Sequence, residues 1–364
     1  MHQVSFLPYF PTPERLPEGA DIKINRVHLF NFWNYKDRYI PDLAIRAKME
    51  KLFRMYVDDN LESCKSVTIA VIDGNYDFTQ ASDLQIIDLQ RYTLALLFCC
   101  ITQNNPRMGW VSDHFTLIHQ NFVLSEDFVG YRLGSYKRYT EYSIELERKR
   151  FIKPDYIIDD ERFIYDEELL RAFAAMIDTQ SKDDDYIFSA LEWVRSAHVN
   201  PTNFRAEIRP VMLMTAFETI FKLSQNQKED NFADYLEALL GVDKFHFLNE
   251  EDNTWQYGLP VAEKNNSRGK SKKNTMYGWW ARDFYSLRSK IVHEGLITDK
   301  DWKYLDGISH VEIALKMLNF CLYRLMENKG YLVHENSAAA ILLNDPSFFT
   351  VRRLRQIEKH ISNI

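Results

Sequence analysis

The chain has 364 residues, 46% of them hydrophobic and 14% aromatic, with only 12 glycines and 11 prolines. This composition excludes a largely disordered or collagen-like polypeptide and provides for more than one hydrophobic core. The formal net charge is −7, so the chain is not one that coats nucleic acid over its whole surface. Any affinity for RNA has to come from a local basic patch.

The cysteines and the apolar runs indicate a chain without disulfides and without membrane spans. Cys64, Cys99, Cys100 and Cys321 show no Cys-x-x-Cys spacing, which predicts reduced thiols. The longest apolar run, residues 94–101, is far shorter than the roughly 20 residues that cross a bilayer. We expect a cytoplasmic chain with no membrane association. No motif for a metal or a cofactor is present in the sequence, and none is expected.

The first half of the sequence has a mixed pattern. Short apolar runs predict strands, and apolar residues at helical spacing predict helices. In chain order we predict a strand at 27–33, a helix opened by Pro41, a strand at 67–72, a helix from Asp83 to about 102, and strands at 115–124, 128–142 and 150–158.

From residue 166 onward the pattern is helical. We predict helices at 166–178, 184–198, 209–224, 231–240, 277–294, 308–328 and 350–361. Residues 245–274 lack sustained periodicity and are predicted to form a long loop. The predicted fold class is α+β, with a mixed α/β domain over 1–163 and a helical domain over 164–364. No residue of the first domain indicates a ligand, and a sensing or regulatory role is open.

The segment from Arg288 to Gly295 contains the most informative residues of the chain. An arginine can hold a phosphate with several N–H donors, and a histidine can exchange a proton near neutral pH. Five residues on one helix place Arg288 and His293 about 140° apart around the axis. They can converge only if the helix tightens or ends between them, or if a second chain contributes its own copy. The alternative is an ordinary helix C-terminus with basic side chains and Gly295 as the capping glycine.

Three segments together resemble the HEPN superfamily, most closely its Apea-like branch. Residues 284–295 resemble the motif in which an arginine and a histidine are separated by a few residues. Residues 214–221, with the pair Phe217-Glu218, resemble an earlier helix of the family, and residues 310–325 resemble the helix that follows the motif. The resemblance covers the chain from near Glu167 onward.

This resemblance implies an all-α HEPN bundle that dimerises and cuts RNA without a metal. By analogy, His293 acts as acid or base, and Arg288 binds the scissile phosphate. The products are a 2′,3′-cyclic phosphate and a 5′-OH end. Ser289 and Glu218 are expected to support the site. Two features differ from relatives: Ser289 stands where Asn, Asp or His is frequent, and Gly295 stands where some HEPN toxins have a tyrosine.

A basic segment precedes the motif. Residues 263–294 contain eight Lys and Arg against three Asp and Glu, a local balance of +5. We expect an RNA-binding arm there, and the alternative is a solvated loop. The residues assigned to RNA binding are Arg268, Lys270, Lys272, Lys273 and Lys290.

Other polar residues have weaker interpretations. Residues 183–185, three aspartates, are expected to form a helix N-cap rather than a metal site. His198 and His310 are expected to be structural, and Glu218 is expected either to orient the motif residues or to form a structural ion pair.

The function predicted from the sequence is a metal-independent endoribonuclease, acting as a homodimer in phage defence, abortive infection or a toxin system. A regulatory partner or a phage trigger is expected to control it. The alternative is a HEPN module that binds nucleic acid or nucleotide, or dimerises, without catalysis. A third possibility, a structural subunit, predicts that Arg288 and His293 are buried in contacts within one chain.

Overall fold

The computed structural model describes most of the chain. The described residues are 1–7, 11–13, 21–57, 67–103, 117–125, 128–135, 138–145, 149–150, 163–197, 207–223, 228–240, 261–265, 269, 271–295, 298, 301–304 and 308–332. The chain divides into two compact units, Met1–Phe204 and Arg205–Ile364.

The first unit contains a large antiparallel sheet and five of the helices described. Its strands are β1 (His2–Leu7), β2 (Pro11–Pro13), β3 (Asp21–Ile24), β4 (Val27–Asn31), β5 (Tyr56–Val57), β6 (Thr68–Ile72), β7 (Ile118–Phe122), β8 (Phe128–Ser135), β9 (Arg138–Glu145), β10 (Lys149–Arg150) and β11 (Phe163–Tyr165). Its helices are α1 (Phe32–Tyr39), α2 (Leu43–Phe53), α3 (Asp83–Gln103), α4 (Glu167–Thr179) and α5 (Asp185–Ala197).

Seven strands form the sheet in the order β3-β4-β6-β1-β7-β8-β9, and every neighbouring pair is antiparallel. The central strand β1 alternates its side chains between the two faces, as strands do. Val4 and Phe6 therefore enter one core, together with Ile69 and Ile118 of the neighbouring strands. Helices α1 and α2 cover this face with the buried side chains Phe32, Ile45, Met49, Leu52 and Phe53.

The predicted strand at 27–33 is wrong at its end. The strand stops at Asn31, and Phe32 begins α1. The Asn31 side chain accepts a hydrogen bond from the N–H of Asn34 at 3.2 Å, which is the contact of a helix N-cap. The next helix begins at Leu43, after Pro41, with Asp42 as its N-cap.

The boundary between the compact units lies about forty residues after the predicted domain boundary at 163/164. The helical pattern starts at α4, but α4 and α5 both pack against α3 of the first unit. A change of periodicity marks a change of element type, and it does not show which core a helix joins.

The second unit is mainly helical and begins its described part at α6. Its elements are α6 (Ile208–Ile220), α7 (Lys228–Leu240), β12 (Val261–Asn265), β13 (Ser271–Thr275), α8 (Met276–His293), β14 (Lys303–Tyr304), β15 (Ile308–Ser309) and α9 (His310–Asn328). Helix α8 packs against α6 and α7, and α9 packs against the same two helices. Their core is aromatic: Phe217, Phe232, Trp280 and Phe284 are almost fully buried and contact one another.

The predicted loop at 245–274 is wrong over its last part, where β12 and β13 form a hairpin. The strands are antiparallel, with Glu263 opposite Lys273 and Lys264 opposite Lys272. Their polar sequence gives no hydrophobic alternation, so a period-two pattern cannot be seen. The helices predicted in this half of the chain are otherwise found within a few residues, except 350–361, which lies outside the described residues.

A buried carboxylate on α7 fixes the start of α8. Glu237 accepts hydrogen bonds from the backbone N–H and the hydroxyl of Thr275, both at 2.6 Å, and from the Asn274 side chain at 3.0 Å. Arg282 extends this network, because its Nε donates to Asn274 at 3.0 Å and its guanidinium also pairs with Asp230. Thr275 is the N-cap residue of α8, so the negative charge of Glu237 lies next to the positive end of the helix dipole.

Gly278 provides the space for this network. A Cβ at position 278 would lie 2.5 Å from Oε1 of Glu237 and 2.7 Å from Nδ2 of Asn274. Glycine is therefore accommodated at this position, although a glycine in a helix interior is less favourable than an alanine by about 1 kcal/mol.

The predicted fold class, α+β, is confirmed: an antiparallel sheet with helices is followed by a helical region. Among the described residues, no helix is both long enough and apolar enough to cross a membrane. The described cysteines, Cys99, Cys100 and Cys321, are buried and form no disulfide with one another, and Cys64 lies outside the described residues.

The Glu237 network predicts that Gly278→Ala destabilises the protein, although Gly→Ala in a helix interior usually stabilises it. We expect the free energy of unfolding to fall by about 1–3 kcal/mol, because the added methyl group overlaps the carboxylate. Urea unfolding followed by tryptophan fluorescence measures the change. Ser289→Ala on the same helix is the control and should stay within about 0.5 kcal/mol of wild type. Equal or greater stability of Gly278→Ala would contradict this account of the network.

Candidate functional site

Helix α8 contains both motif residues. It runs without interruption from Met276 and ends at His293, the second motif residue. The N–H groups of Glu294 and Gly295 both donate to the Lys290 carbonyl, at 2.8 and 3.1 Å. Gly295 has a φ of +66°, so it ends the helix in the conformation that favours glycine, as the sequence predicts.

Continuity of α8 decides how Arg288 and His293 are oriented. The helix neither tightens nor ends between them, so their side chains leave the axis about 140° apart. No hydrogen bond joins the two residues. Of the routes to convergence considered above, a second chain is the one that this helix leaves open.

Arg288 has an unusual environment among the basic residues of α8. It is half-buried, and its Nε is buried without a hydrogen-bond partner. Arg282 pairs with Asp230, and Lys290 donates to Asp301 at 2.6 Å. Within the described part of the chain, Arg288 is thus the α8 cation without a carboxylate partner. A buried N–H donor without an acceptor is unfavourable by about 1–3 kcal/mol, and an anion would relieve this.

His293 is exposed at the end of the helix. Its neighbours Val292 and Glu294 are exposed as well, Val292 by 48%. In the described residues no carboxylate orients its imidazole. The ring is accessible to a substrate in solution, which is a requirement for proton transfer.

The two residues predicted to support the site form no hydrogen bond or ion pair with Arg288 or His293 within the described chain. Glu218 pairs with Lys228 at 2.8 Å, and its second oxygen, Oε1, is buried without a partner. Ser289 is half-buried on α8 and has no hydrogen bond with a described residue. The ion pair is the structural interpretation considered for Glu218 above.

The residues assigned to RNA binding are only partly within the described chain. Arg268 and Lys270 lie outside it. Lys272 and Lys273 lie on β13, directly before α8, so the basic segment is at least partly a hairpin. Lys290 belongs to α8, and its ammonium group is committed to Asp301.

A cavity of about 260 Å³ lies beside α8, and it is not predicted from the sequence. Its lining residues are Asp283, Ser286, Leu287, Lys290, Asp301, Lys303, Tyr304 and His310. Neither Arg288 nor His293 is among them. The cavity depends on residues 301–304 folding back onto α8, and a contact of this kind leaves no periodic signal in a sequence.

The Lys290–Asp301 pair forms one wall of this cavity. Asp301 accepts from Lys290 and from both the backbone N–H (2.9 Å) and the hydroxyl (2.7 Å) of Thr298. These donors hold the pKa of Asp301 well below its usual range.

His310 is a buried residue of the lining. Its side chain is 4% exposed and stacks on Phe284 at 5.9 Å, and its Nδ1 has no hydrogen-bond partner among described residues. Burial lowers the pKa of His310 from 6.5 to about 4, so the imidazole is neutral near pH 7. His310 is buried as a structural histidine would be, whereas His198 lies outside the described residues.

The aspartates at 183–185 have a structural position. Lys182–Asp184 form a 3-10 turn, Asp184 is buried, and Asp185 begins α5. Within the described ranges, no group of three or more His, Cys, Asp and Glu side chains is placed to hold a metal ion.

The neutral state of His310 predicts a pH-dependent stability. The unfolded chain takes up a proton at this residue near pH 6.5, whereas the folded chain resists protonation until about pH 4. The contribution of His310 is therefore complete above pH 6.5 and is lost as the pH falls to 4, by about 3 kcal/mol in total. Asp301, whose folded pKa is lowered, loses its contribution only below about pH 4.

Urea unfolding of wild type and His310→Gln between about pH 7 and pH 4 measures this effect. The wild-type unfolding free energy should fall more steeply than that of the variant over this interval. Parallel curves for the two proteins would show that His310 takes up its proton in the folded chain at the same pH as in the unfolded chain.

Comparisons of the chain with protein-family models, with curated proteins and with solved structures gave no match.

Proposed function

We propose that this chain is a metal-independent endoribonuclease of the HEPN type that acts as a homodimer. The proposal starts from the resemblance of residues 284–295 to the HEPN motif. The observation that supports it most is the state of Arg288, a half-buried cation for which the described residues provide no carboxylate.

Arg288 is suited to bind the scissile phosphate. A guanidinium stays charged at all relevant pH values and presents several N–H donors, so it holds two phosphate oxygens at once. It also offsets the negative charge that accumulates when the phosphorus becomes five-coordinate. The other arginine of α8, Arg282, is 2% exposed and belongs to the Glu237 network.

His293 is suited to move the protons of the reaction. A histidine base removes the proton of the ribose 2′-OH, and the oxygen attacks the adjacent phosphorus. The bond to the 5′-oxygen of the next nucleotide breaks, and that oxygen takes a proton from a histidine acid. The products are a 2′,3′-cyclic phosphate and a free 5′-OH, and no water is consumed in this step.

A dimer resolves the geometry of α8. Since Arg288 and His293 of one chain leave the helix about 140° apart, one of them faces away when the other faces the substrate. If two copies of α8 meet across a two-fold axis, Arg288 of one chain can face His293 of its partner. The hairpin β12–β13 precedes α8, and its lysines would supply phosphate contacts outside the site.

The biological setting that we propose comes from the resemblance to HEPN proteins. A nuclease of this kind would act in the cytoplasm, in phage defence, abortive infection or a toxin system, under the control of a regulatory partner or a phage trigger. The first unit would provide this control.

A second candidate function is a HEPN module that binds a nucleic acid or nucleotide without cutting it. The divergence of the two motif side chains within one chain favours this alternative. Both functions predict binding of RNA, and only the first predicts new RNA ends.

Cleavage of total cellular RNA by the purified chain, with EDTA present, tests the proposal. We expect cleavage to persist in EDTA and to leave 5′-OH ends, which polynucleotide kinase labels directly. Arg288→Gln and His293→Ala should each lower the rate by a factor of about 100 or more, because each removes a group that acts in the transition state.

Arg324→Gln is the matched control, since it removes one positive charge from the same unit. Arg324 lies on α9 and pairs with Glu327 at 2.8 Å. Its variant should cut as wild type does. RNA binding without new ends, unchanged by His293→Ala, would favour the binding module over the nuclease.

Mixing two inactive variants tests whether the site is shared between chains. Heterodimers of Arg288→Gln with His293→Ala still contain one intact Arg288 facing one intact His293 of the other chain. We expect partial activity from the mixture after co-refolding or co-expression, whereas each variant alone stays inactive. If the mixture stays inactive although size measurements show that heterodimers form, the site is not shared between the two chains. The nuclease proposal then depends on the cleavage experiment alone.

A further inference from the structure

The cavity beside α8 lies on the same side of the helix as His293. Ser286, Lys290 and His293 follow one another at positions i, i+4 and i+7, which form a single face of an α-helix. The first two line the cavity. Arg288 lies on the other side of α8, about 150° from the centre of the cavity-lining residues.

We propose that this cavity receives one unstacked nucleobase of a single-stranded RNA and thereby places the neighbouring ribose against His293. The inference rests on the proposed function, and it adds the substrate class: RNA whose bases are accessible, with a preference set by the cavity.

The size of the cavity fits a single base. Sites for complete drug-sized ligands occupy about 300–1,000 Å³. A volume of about 260 Å³ is small for such a ligand and suits one ring system. Ser286 is about 10 Å from His293 along the helix axis, so a base in the cavity leaves its own sugar and phosphate to extend towards the end of the helix.

The lining combines flat and polar surfaces, as base recognition requires. Leu287 offers an apolar surface, and Tyr304 and His310 offer rings. His310 is held in place by its stacking on Phe284 and is neutral, so it contributes a fixed ring without a full charge. Proteins recognise single-stranded RNA by stacking bases on such rings and hydrogen-bonding their edges.

Lys303 is a lining residue that can form a hydrogen bond with the edge of a base. It is exposed, and within the described chain it has no carboxylate partner, in contrast to Lys290. Its ammonium group can donate to a carbonyl oxygen or a ring nitrogen of the base.

Binding, measured apart from cleavage, tests the cavity. The protein is the full chain carrying Arg288→Gln and His293→Ala, so that RNA is bound and not cut. The probes are four fluorescent single-stranded RNAs of equal length, each made of one nucleotide, and the four free nucleoside 5′-monophosphates. We expect one of the RNAs to bind about tenfold more tightly than the others, since stacking and edge contacts with one base are of this order.

Two substitutions in the cavity and one control outside it test whether the preference for one RNA arises in the cavity. Ser286→Phe fills the cavity and should lower the affinity for the preferred RNA to the affinity for the other three. Lys303→Gln should weaken the preference. Lys329→Gln removes the same charge from an exposed position after α9 and should leave the preference intact. Because Lys303 is exposed, its variant keeps the test informative even if Ser286→Phe does not fold.

The outcomes separate this inference from the proposed function. Equal affinities for the four RNAs, or a preference that survives both cavity variants, would overturn the base pocket even if the wild-type chain cuts RNA. A preference that both variants abolish would support the pocket even if the chain cuts nothing. Cavity-dependent binding of a free monophosphate, without a matching RNA preference, would show that the occupant is a free nucleotide and would overturn the proposal.

Discussion

The hydrogen bonds that Glu237 accepts before the first turn of α8 fix where the motif helix begins. They join α7 to the end of the hairpin, and Arg282 and Gly278 of α8 complete the arrangement. A carboxylate that is 4% exposed is stable only when donors surround it, and here the donors are fixed backbone and side-chain groups. The orientation of α8 therefore depends on a polar contact inside an otherwise aromatic core.

The continuity of α8 has a direct consequence for the proposed chemistry. The same helix presents Arg288 on one side and, on the other, the cavity with His293 beyond it. On the proposed function, one chain would offer its phosphate-binding cation and its base-binding cavity on opposite sides of α8, and it would not apply both motif side chains to one phosphate. Pairing of two chains would turn this separation into two complementary half-sites. Val292, 48% exposed and one turn after Arg288 on the same side of α8, is an apolar side chain that such a pairing could cover.

The sequence predicted what depends on local pattern. Apolar spacing located α3, α4, α5, α6, α8 and α9, and Gly295 predicted the end of the motif helix. Features that depend on distant partners are not visible in a local pattern: the packing of α4 and α5 on α3, the polar hairpin before α8, and the contact between Lys290 and Asp301. Glu218 shows the same limit, since Lys228 becomes its partner only when α6 and α7 pack together. The candidate site was predictable as a pair of residue types, whereas its cavity was not.

The position of β1 at the centre of the sheet has a consequence for how the first unit is made. Ser5 pairs with Ala70 on one side and with His119 on the other, so β1 has both of its neighbours only after β7 has been synthesised. At a synthesis rate of about 5–20 residues per second, this delay is on the order of ten seconds. Contacts of such long sequence separation slow folding, because a large loop must close before they form. The nascent chain therefore carries β1 without its second neighbour until β7 has been synthesised, and the centre of the sheet cannot be completed before then.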